Sequence, residues 1–205
     1  MNQKIYRIPK YVAWFYPRRI WYGAEGKVYL TFDDGPHPEI TPWLLDFLKE
    51  QRIRVNFFWS GVNTEKYPEL VLRAKEEGHI VGHHGYEHVA GSKLSWEEFK
   101  NNFDRSAAMA PDAYFRPPYG SLKSKQAQYV LERGKLIMWS WMAYDFDQTL
   151  TNETILLNVK KYVKSCDIIV FHENDKTVER MKEIIPTFIH IIQKKGLTFD
   201  TIDKI

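Results

Sequence analysis

Short strand-like runs alternate with capped helical segments along most of this chain, and that alternation limits its possible folds more than any other feature. Val28–Phe32, Val55–Trp59, His79–Gly82, Ala113–Phe115, Lys135–Trp141, Ile168–Phe171 and Leu197–Phe199 read as strands. Between them, Thr41-Pro42 opens a helix to Glu50, with Thr41 as N-cap and Pro42 at the first helical position. Pro68 opens another that stops at Gly78. Ser95-Trp-Glu-Glu98 is a capping box for a helix reaching Met109. Ser124–Arg133, Glu153–Ser165 and Lys176–Lys195 follow, the last with a kink or break expected at Pro186. Such alternation calls for a parallel sheet with helices on its faces. The expected fold class is α/β, a distorted (β/α) barrel of about seven units with its site at the carboxyl ends of the strands.

The 205 residues suit one domain, and 44% apolar residues supply its core. Residues 1–26 read as an aromatic and basic strap over one end of that core, and residues 27–205 as the domain proper. Aromatics reach 15%, which fits a core of large side chains and also a groove that stacks on sugar rings. A net charge of +3 without a Lys/Arg-dense stripe argues against a nucleic-acid partner. The single cysteine, Cys166, excludes an internal disulfide and reads as a small buried residue. Tyr11–Gly23 is aromatic but broken by Pro17, Arg18 and Arg19, too short to span a bilayer and without the apolar core of a signal peptide. The chain as it stands is expected to be cytoplasmic, or exported by a signal since removed.

The polar residues with chemical potential fall at the strand ends. Thr31-Phe-Asp-Asp-Gly-Pro36 places two adjacent carboxylates where a strand ends and the chain bends. Two carboxylates turned into one pocket repel unless a cation or proton absorbs charge, so the pair suggests a metal ligand beside a base. His84 and His88 are spaced i, i+4, as on one face of a helical turn, and with one Asp oxygen they form a two-nitrogen, one-oxygen ligand set. His83 is a competing ligand or faces away; His37, His79 and His190 read as ordinary surface or core residues. In Arg116-Pro-Pro-Tyr-Gly120 two prolines fix the directions of Arg116 and of the Tyr119 amide. Asp145 follows an aromatic run, and His172 ends a buried strand, placed as a proton donor.

Taken in order, these motifs resemble those of the polysaccharide deacetylases, carbohydrate esterase family four, over about residues 27–200. Thr31–Pro36, His84–His88, Arg116–Gly120, Trp139–Phe146 and Val170–His172 stand as its five motifs. The resemblance implies that Asp33 is the general base and that Asp34, His84 and His88 hold a divalent metal, zinc foremost, with cobalt and nickel as alternatives. It implies that Arg116 orients the base, Tyr119 offers its N–H to the oxyanion, Asp145 tunes the acid and His172 is that acid. The implied reaction is hydrolysis of N-acetyl groups on amino-sugar glycans of peptidoglycan or chitin type, with release of acetate and an N-acetylated carbohydrate as the only implied partner. An O-acetyl esterase, another amide hydrolase on the same scaffold, or a weakly active sugar-binding member are the alternatives.

Several positions depart from the family pattern. His83 stands where Asn is usual and Gly85 where Ser or Thr is usual, and loss of that hydroxyl is expected to loosen the loop and weaken metal binding. Met142 replaces an Asp, Phe146 a Trp, and Glu173 the Asp after the histidine. The catalytic set is intact; the altered groove wall bears on substrate identity.

Overall fold

The computed structural model describes residues 4–205. In chain order the elements are α1 (Lys10–Phe15), β1 (Arg19–Ile20), β2 (Lys27–Asp34), α2 (Ile40–Gln51), β3 (Asn56–Trp59), α3 (Gly61–Lys66), α4 (Pro68–Glu76) and β4 (Ile80–His83). They continue with α5 (Trp96–Met109), β5 (Tyr114–Phe115), α6 (Ser124–Leu131), β6 (Lys135–Ile137), β7 (Trp141–Met142), α7 (Asn152–Tyr162), β8 (Ile168–His172), α8 (Val178–Lys194) and β9 (Thr198–Phe199). The strands pair in parallel in the order β1-β6-β5-β4-β3-β2-β8-β7, with β9 added beside the start of β2.

That order explains the curvature. β6 and β7 are separated by only three residues, yet β6 pairs with β5 and β7 with β8, near opposite ends of the strand path. The sheet must therefore curl until its two edges meet at residues 135–142, which makes it a distorted barrel. The single strand expected over Lys135–Trp141 is in fact these two short strands, because each half takes its partner from a different edge.

The amino-terminal segment is stitched into this seam. The Ile8 N–H donates to the Ser140 carbonyl at 2.8 Å, Met142 N–H to Tyr6 at 2.9 Å, Met138 N–H to Ile20 at 2.8 Å and Gly23 N–H to Cys166 at 2.8 Å. Residues 1–3 of the expected strap lie outside the described residues. From residue 6 onward the segment is hydrogen-bonded to the barrel wall, with β1 as a strand of the sheet.

The alternation of β2 sorts its side chains. Val28, Leu30 and Phe32 pack outward beneath α2, α7 and α8 with Leu44, Val159 and Phe188, whereas Tyr29 packs on the inner side with Phe58, Ile137 and Ile168. Two local expectations shift. α2 opens at Ile40, so Thr41 lies in its first turn; the Thr41 hydroxyl accepts from the His37 N–H at 2.8 Å and donates to Glu173. α8 runs unbroken through Pro186, which sits on its half-buried flank. Pro68 at the start of α4, Gly78 in left-handed backbone after it and the Ser95–Glu98 capping box all stand as read from the sequence. Cys166 is half-buried, in left-handed backbone before β8.

Candidate active site

Asp33 faces the barrel interior by the alternation of β2. Asp34, the next residue, would point the opposite way on a regular strand. Its φ of 78° turns it back, so both carboxylates line one cleft, as the bend at the strand end led one to expect. Beneath them Arg116, at the end of β5, is completely buried and lies 4.1 Å over the Phe58 ring. Its Nη1 donates to Asp33 Oδ1 and to Thr31 Oγ1, each at 2.6 Å, and its Nη2 to the Met138 carbonyl at 2.9 Å. These bonds fix the Asp33 carboxylate and leave its Oδ2 toward the cleft, 4.0 Å from His84 Nε2.

Asp34, His84 and His88 present ligand atoms within 4.8 Å of one another. Asp34 Oδ2 accepts from Asn174 Nδ2 at 2.9 Å. Among the described residues Asp34 Oδ1 has no hydrogen-bond donor although it is buried; it stands 3.3 Å from His88 Nε2 and 4.0 Å from His84 Nε2. His84 Nδ1 lies 2.7 Å from the Arg116 carbonyl, which can only accept, so Nδ1 carries the proton and Nε2 its lone pair. Burial drives the His84 pKa down to about 4 against the pull of Asp33 and Asp34, keeping the ring neutral at pH 7. For Asp34, burial pushes upward, but electrostatic attraction to the His172, His84 and His88 rings and the Asn174 bond prevail and hold its pKa below the ordinary carboxylate value. A buried anionic oxygen aimed at imidazole nitrogens is unfavourable without a cation between them, and these donors suit a divalent transition metal.

The histidine pair is not on a helix. His84 follows β4, hydrogen-bonded through its N–H to the Trp59 carbonyl at 2.9 Å, and His88 sits on the irregular loop beyond it. That loop is not loosened by Gly85. Asn102 of α5 takes the Tyr86 N–H at 2.9 Å and donates to the Glu87 carbonyl at 3.3 Å, while Gly61 N–H binds the Gly85 carbonyl at 2.8 Å. Gly85 has φ 79°, and a Cβ there would meet Asn102 Oδ1 at 2.7 Å. Glycine at this position leaves room for Asn102, whose side chain braces the loop. His83 faces away from the cleft, with Nδ1 2.7 Å from Ser106 Oγ and its ring against Phe103 and Phe115. It is not a fourth ligand.

Across the cleft, His172 Nδ1 lies 2.8 Å from Asp145 Oδ1, and its backbone N–H donates to Asp145 Oδ2 at 2.7 Å. Asp145 is fully buried. Burial lowers the His172 pKa, but Asp145 outweighs it, with Asp34 and Asp33 adding to the effect, and the result is about 9. His172 is therefore a protonated imidazolium at neutral pH, with Nδ1 committed to Asp145. The cleft, about 630 Å³, is walled by Trp139, Met142, Phe146 and Val170, with Tyr119 at its mouth. Phe146 stands edge-on to His172 at 4.9 Å, and the Tyr119 ring lies 4.7 Å from His88, with φ 57° at its backbone.

The family model described as polysaccharide deacetylase matches residues 23–135. The chain belongs to this family. A peptidoglycan-N-acetylglucosamine deacetylase of Bacillus cereus is 33% identical over 87% of the chain and 67% of its own length. A second from the same organism is 31% identical over 95% of the chain and 92% of its length. The crystal structure of a peptidoglycan N-acetylglucosamine deacetylase bound to 4-naphthalen-1-yl-N-oxidanyl-benzamide superposes with a TM-score of 0.80 at 29% identity, covering 93% of this chain and 94% of that one. Family membership and the site together make this chain a polysaccharide deacetylase, a hydrolase on the distorted barrel expected from its strand–helix alternation.

Two polar residues of this deacetylase were not singled out from its sequence as parts of the site. Asn174 holds Asp34; its position two residues past His172 was the available signal. Glu173 is buried, accepts from Thr41 and from Trp59 Nε1 (2.7 Å), and donates its N–H to the Asp33 carbonyl at 2.8 Å. Burial pushes its pKa up to about 7 against the two hydrogen bonds. The carboxylate of Glu173 and the Trp59 indole close over Gly35, where a Cβ would meet both within 2.8 Å. This bracing secures the turn that follows Asp33 and Asp34.

Proposed function

We propose that this enzyme removes the acetyl group from N-acetylglucosamine residues of a peptidoglycan- or chitin-like glycan, using a divalent metal, zinc foremost, held by Asp34, His84 and His88. The observation that carries the reading is the donorless Asp34 Oδ1 facing two imidazole nitrogens, flanked by an Arg116-bound carboxylate on one side and an Asp145-bound imidazolium on the other. The curated relatives act on N-acetylated amino sugars by their names, which favours an amide over an ester as the bond cleaved.

A divalent ion in this ligand set supplies Lewis acidity toward the acetamide carbonyl and acidifies a bound water. Asp33, oriented by Arg116, accepts the proton of the attacking water through its free Oδ2. The Tyr119 N–H, set by Pro117 and Pro118, is offered to the oxyanion. His172 gives the proton of its Nε2 to the departing amine, and Asp145 stabilises the charge His172 holds beforehand. The products are acetate and a free amino sugar. Trp139, Phe146 and Tyr119 offer aromatic surfaces for pyranose faces and the acetyl methyl.

The test is acetate release from N-acetylglucosamine oligomers, peptidoglycan and acetylxylan with zinc, cobalt or nickel, and after chelation. Activity on the N-acetylated substrates, abolished by chelator and restored by metal, is the expected outcome. Metal ligand distances should be about 2.0–2.2 Å. Undiminished activity after exhaustive chelation would remove the metal assignment, and acetylxylan turned over as fast as chitooligosaccharides would remove the N-acetyl preference.

A further inference from the structure

The aromatic residues of α1 face the wrong way for a core. Tyr11, Trp14 and Phe15 are spaced i, i+3, i+4 and share one face of α1, and that face is solvent-exposed: Trp14 is 77% and Phe15 66% accessible. Val12 and Ala13, on the other side, pack against the cluster formed by Trp21, Tyr129 and Met138. Tyr16 continues the exposed surface beyond the helix, with the Arg19 guanidinium 4.4 Å over its ring. A surface helix ordinarily buries its apolar face, and a grouped apolar patch left in water marks an interaction site.

The charge around the patch selects the partner. Residues 4–24 contain five basic residues, Lys4, Arg7, Lys10, Arg18 and Arg19, and no acidic one. Lys4 and Arg7 are engaged by Asp147 and Asp167 inside the fold. Lys10 and Arg18, which bracket the aromatic residues in the chain, are exposed; the Lys10 ammonium lies 6.0 Å from the Tyr22 ring, and the ion pairs found among the described residues include neither. Trp, Phe and Tyr flanked by Lys and Arg form the composition that settles into a headgroup region, rings at the acyl boundary and cations among anionic lipids. We infer that this patch docks the enzyme on an anionic lipid surface.

The topology gives the docked enzyme a direction. The patch leads directly into β1, which runs parallel to the strands carrying the site. It therefore lies toward the amino ends of the strands, whereas Asp33, Asp34, Arg116 and His172 lie at or beyond their carboxyl ends. Seated on lipid by this patch, the enzyme turns its catalytic cleft away from the membrane and toward a polymer outside it. This orientation suits the glycan substrate proposed above, but the docking itself does not depend on that proposal.

Vesicle co-sedimentation tests it, with liposomes of pure phosphatidylcholine and of phosphatidylcholine with 30–40 mol% phosphatidylglycerol, about the anionic content that sustains surface attraction. The full chain should pellet with the anionic vesicles, weakly with the neutral ones, and less at high salt. Removing Lys10 and Arg18 (K10Q/R18Q) should lower partitioning about 25-fold, since each surface cation contributes ~1 kcal/mol. W14S/F15S should abolish binding to both, with an unchanged far-UV spectrum and unchanged acetate release from a soluble oligomer. Equal pelleting of parent and W14S/F15S, no pelleting with either vesicle, or equal affinity for both vesicles would overturn the inference. So would sedimentation velocity showing a dimer that W14S/F15S dissociates without any vesicle binding, because the patch would then join two copies of the chain.

Discussion

Replacing Asp33 and Asp34 one at a time by Asn should produce two different failures, and the structure gives their sizes. Asp33 and Arg116 are both buried, and the 2.6 Å bond between them supplies the guanidinium with its only countercharge at contact distance among the described residues. Asn at position 33 leaves a buried cation uncompensated, a loss of about 3–5 kcal/mol. The Asn oxygen still accepts an Arg116 N–H, which places the loss near the lower end, about 3 kcal/mol. At roughly 2–4 °C per kcal/mol for a chain of this length, Asp33→Asn should melt about 6–12 °C below the parent. Asp34 is different: its Oδ1 lacks a donor, and an amide nitrogen there could donate to His88 Nε2, 3.3 Å away. In chelator, Asp34→Asn should therefore stay within about 1 kcal/mol of the parent. The assay is thermal unfolding in chelator, combined with metal titration and acetate release. Asp33→Asn should keep metal and lose roughly 10²–10⁴ in rate, whereas Asp34→Asn should lose metal. Equal melting losses in chelator, or metal loss from both variants, would refute the division of roles.

Three further outcomes follow from the same geometry. Asp145→Asn removes the largest of the charges that raise the His172 pKa and leaves burial to lower it; since the acid must be protonated, the alkaline fall in kcat/KM should move to lower pH, while His172→Ala should lose rate and keep metal. His79 is buried, accepts the Val55 N–H at 3.1 Å and has its pKa pushed down by burial to about 4; its neutral form therefore favours the fold fully above about pH 6.5, and this contribution is lost as pH falls from there through 4, by roughly 3 kcal/mol. Urea titrations at pH 7 and pH 4 should show that loss in the parent and a smaller one in His79→Gln. Phe146→Trp, edge-on to His172, should change kcat/KM for oligomers without changing metal content; unaltered kinetics would remove Phe146 from the substrate wall.

The sequence by itself determined the chemistry and the class of fold. Strand–helix alternation required a parallel sheet, and five motifs at strand ends standing in the order of the polysaccharide deacetylases made the carboxylates, the histidines, Arg116 and His172 legible as one constellation. Local signals such as Pro68, Gly78 and the Ser95 capping box act within a few residues and needed no tertiary context. What depended on distant partners was not legible. The division of residues 135–142 between two strands follows from the sheet closing on itself, and no local propensity records which edge each half will meet. The helical turn inferred for His84 and His88 is a loop because Asn102, on another helix, takes over its backbone bonds. Tertiary structure also turned Asp34 into the cleft through a positive φ that its neighbours' identities do not state. Tertiary packing also left the aromatic face of α1 in water: Val12 and Ala13 take the side against the core, and the spacing of aromatics alone could not say which side would be buried.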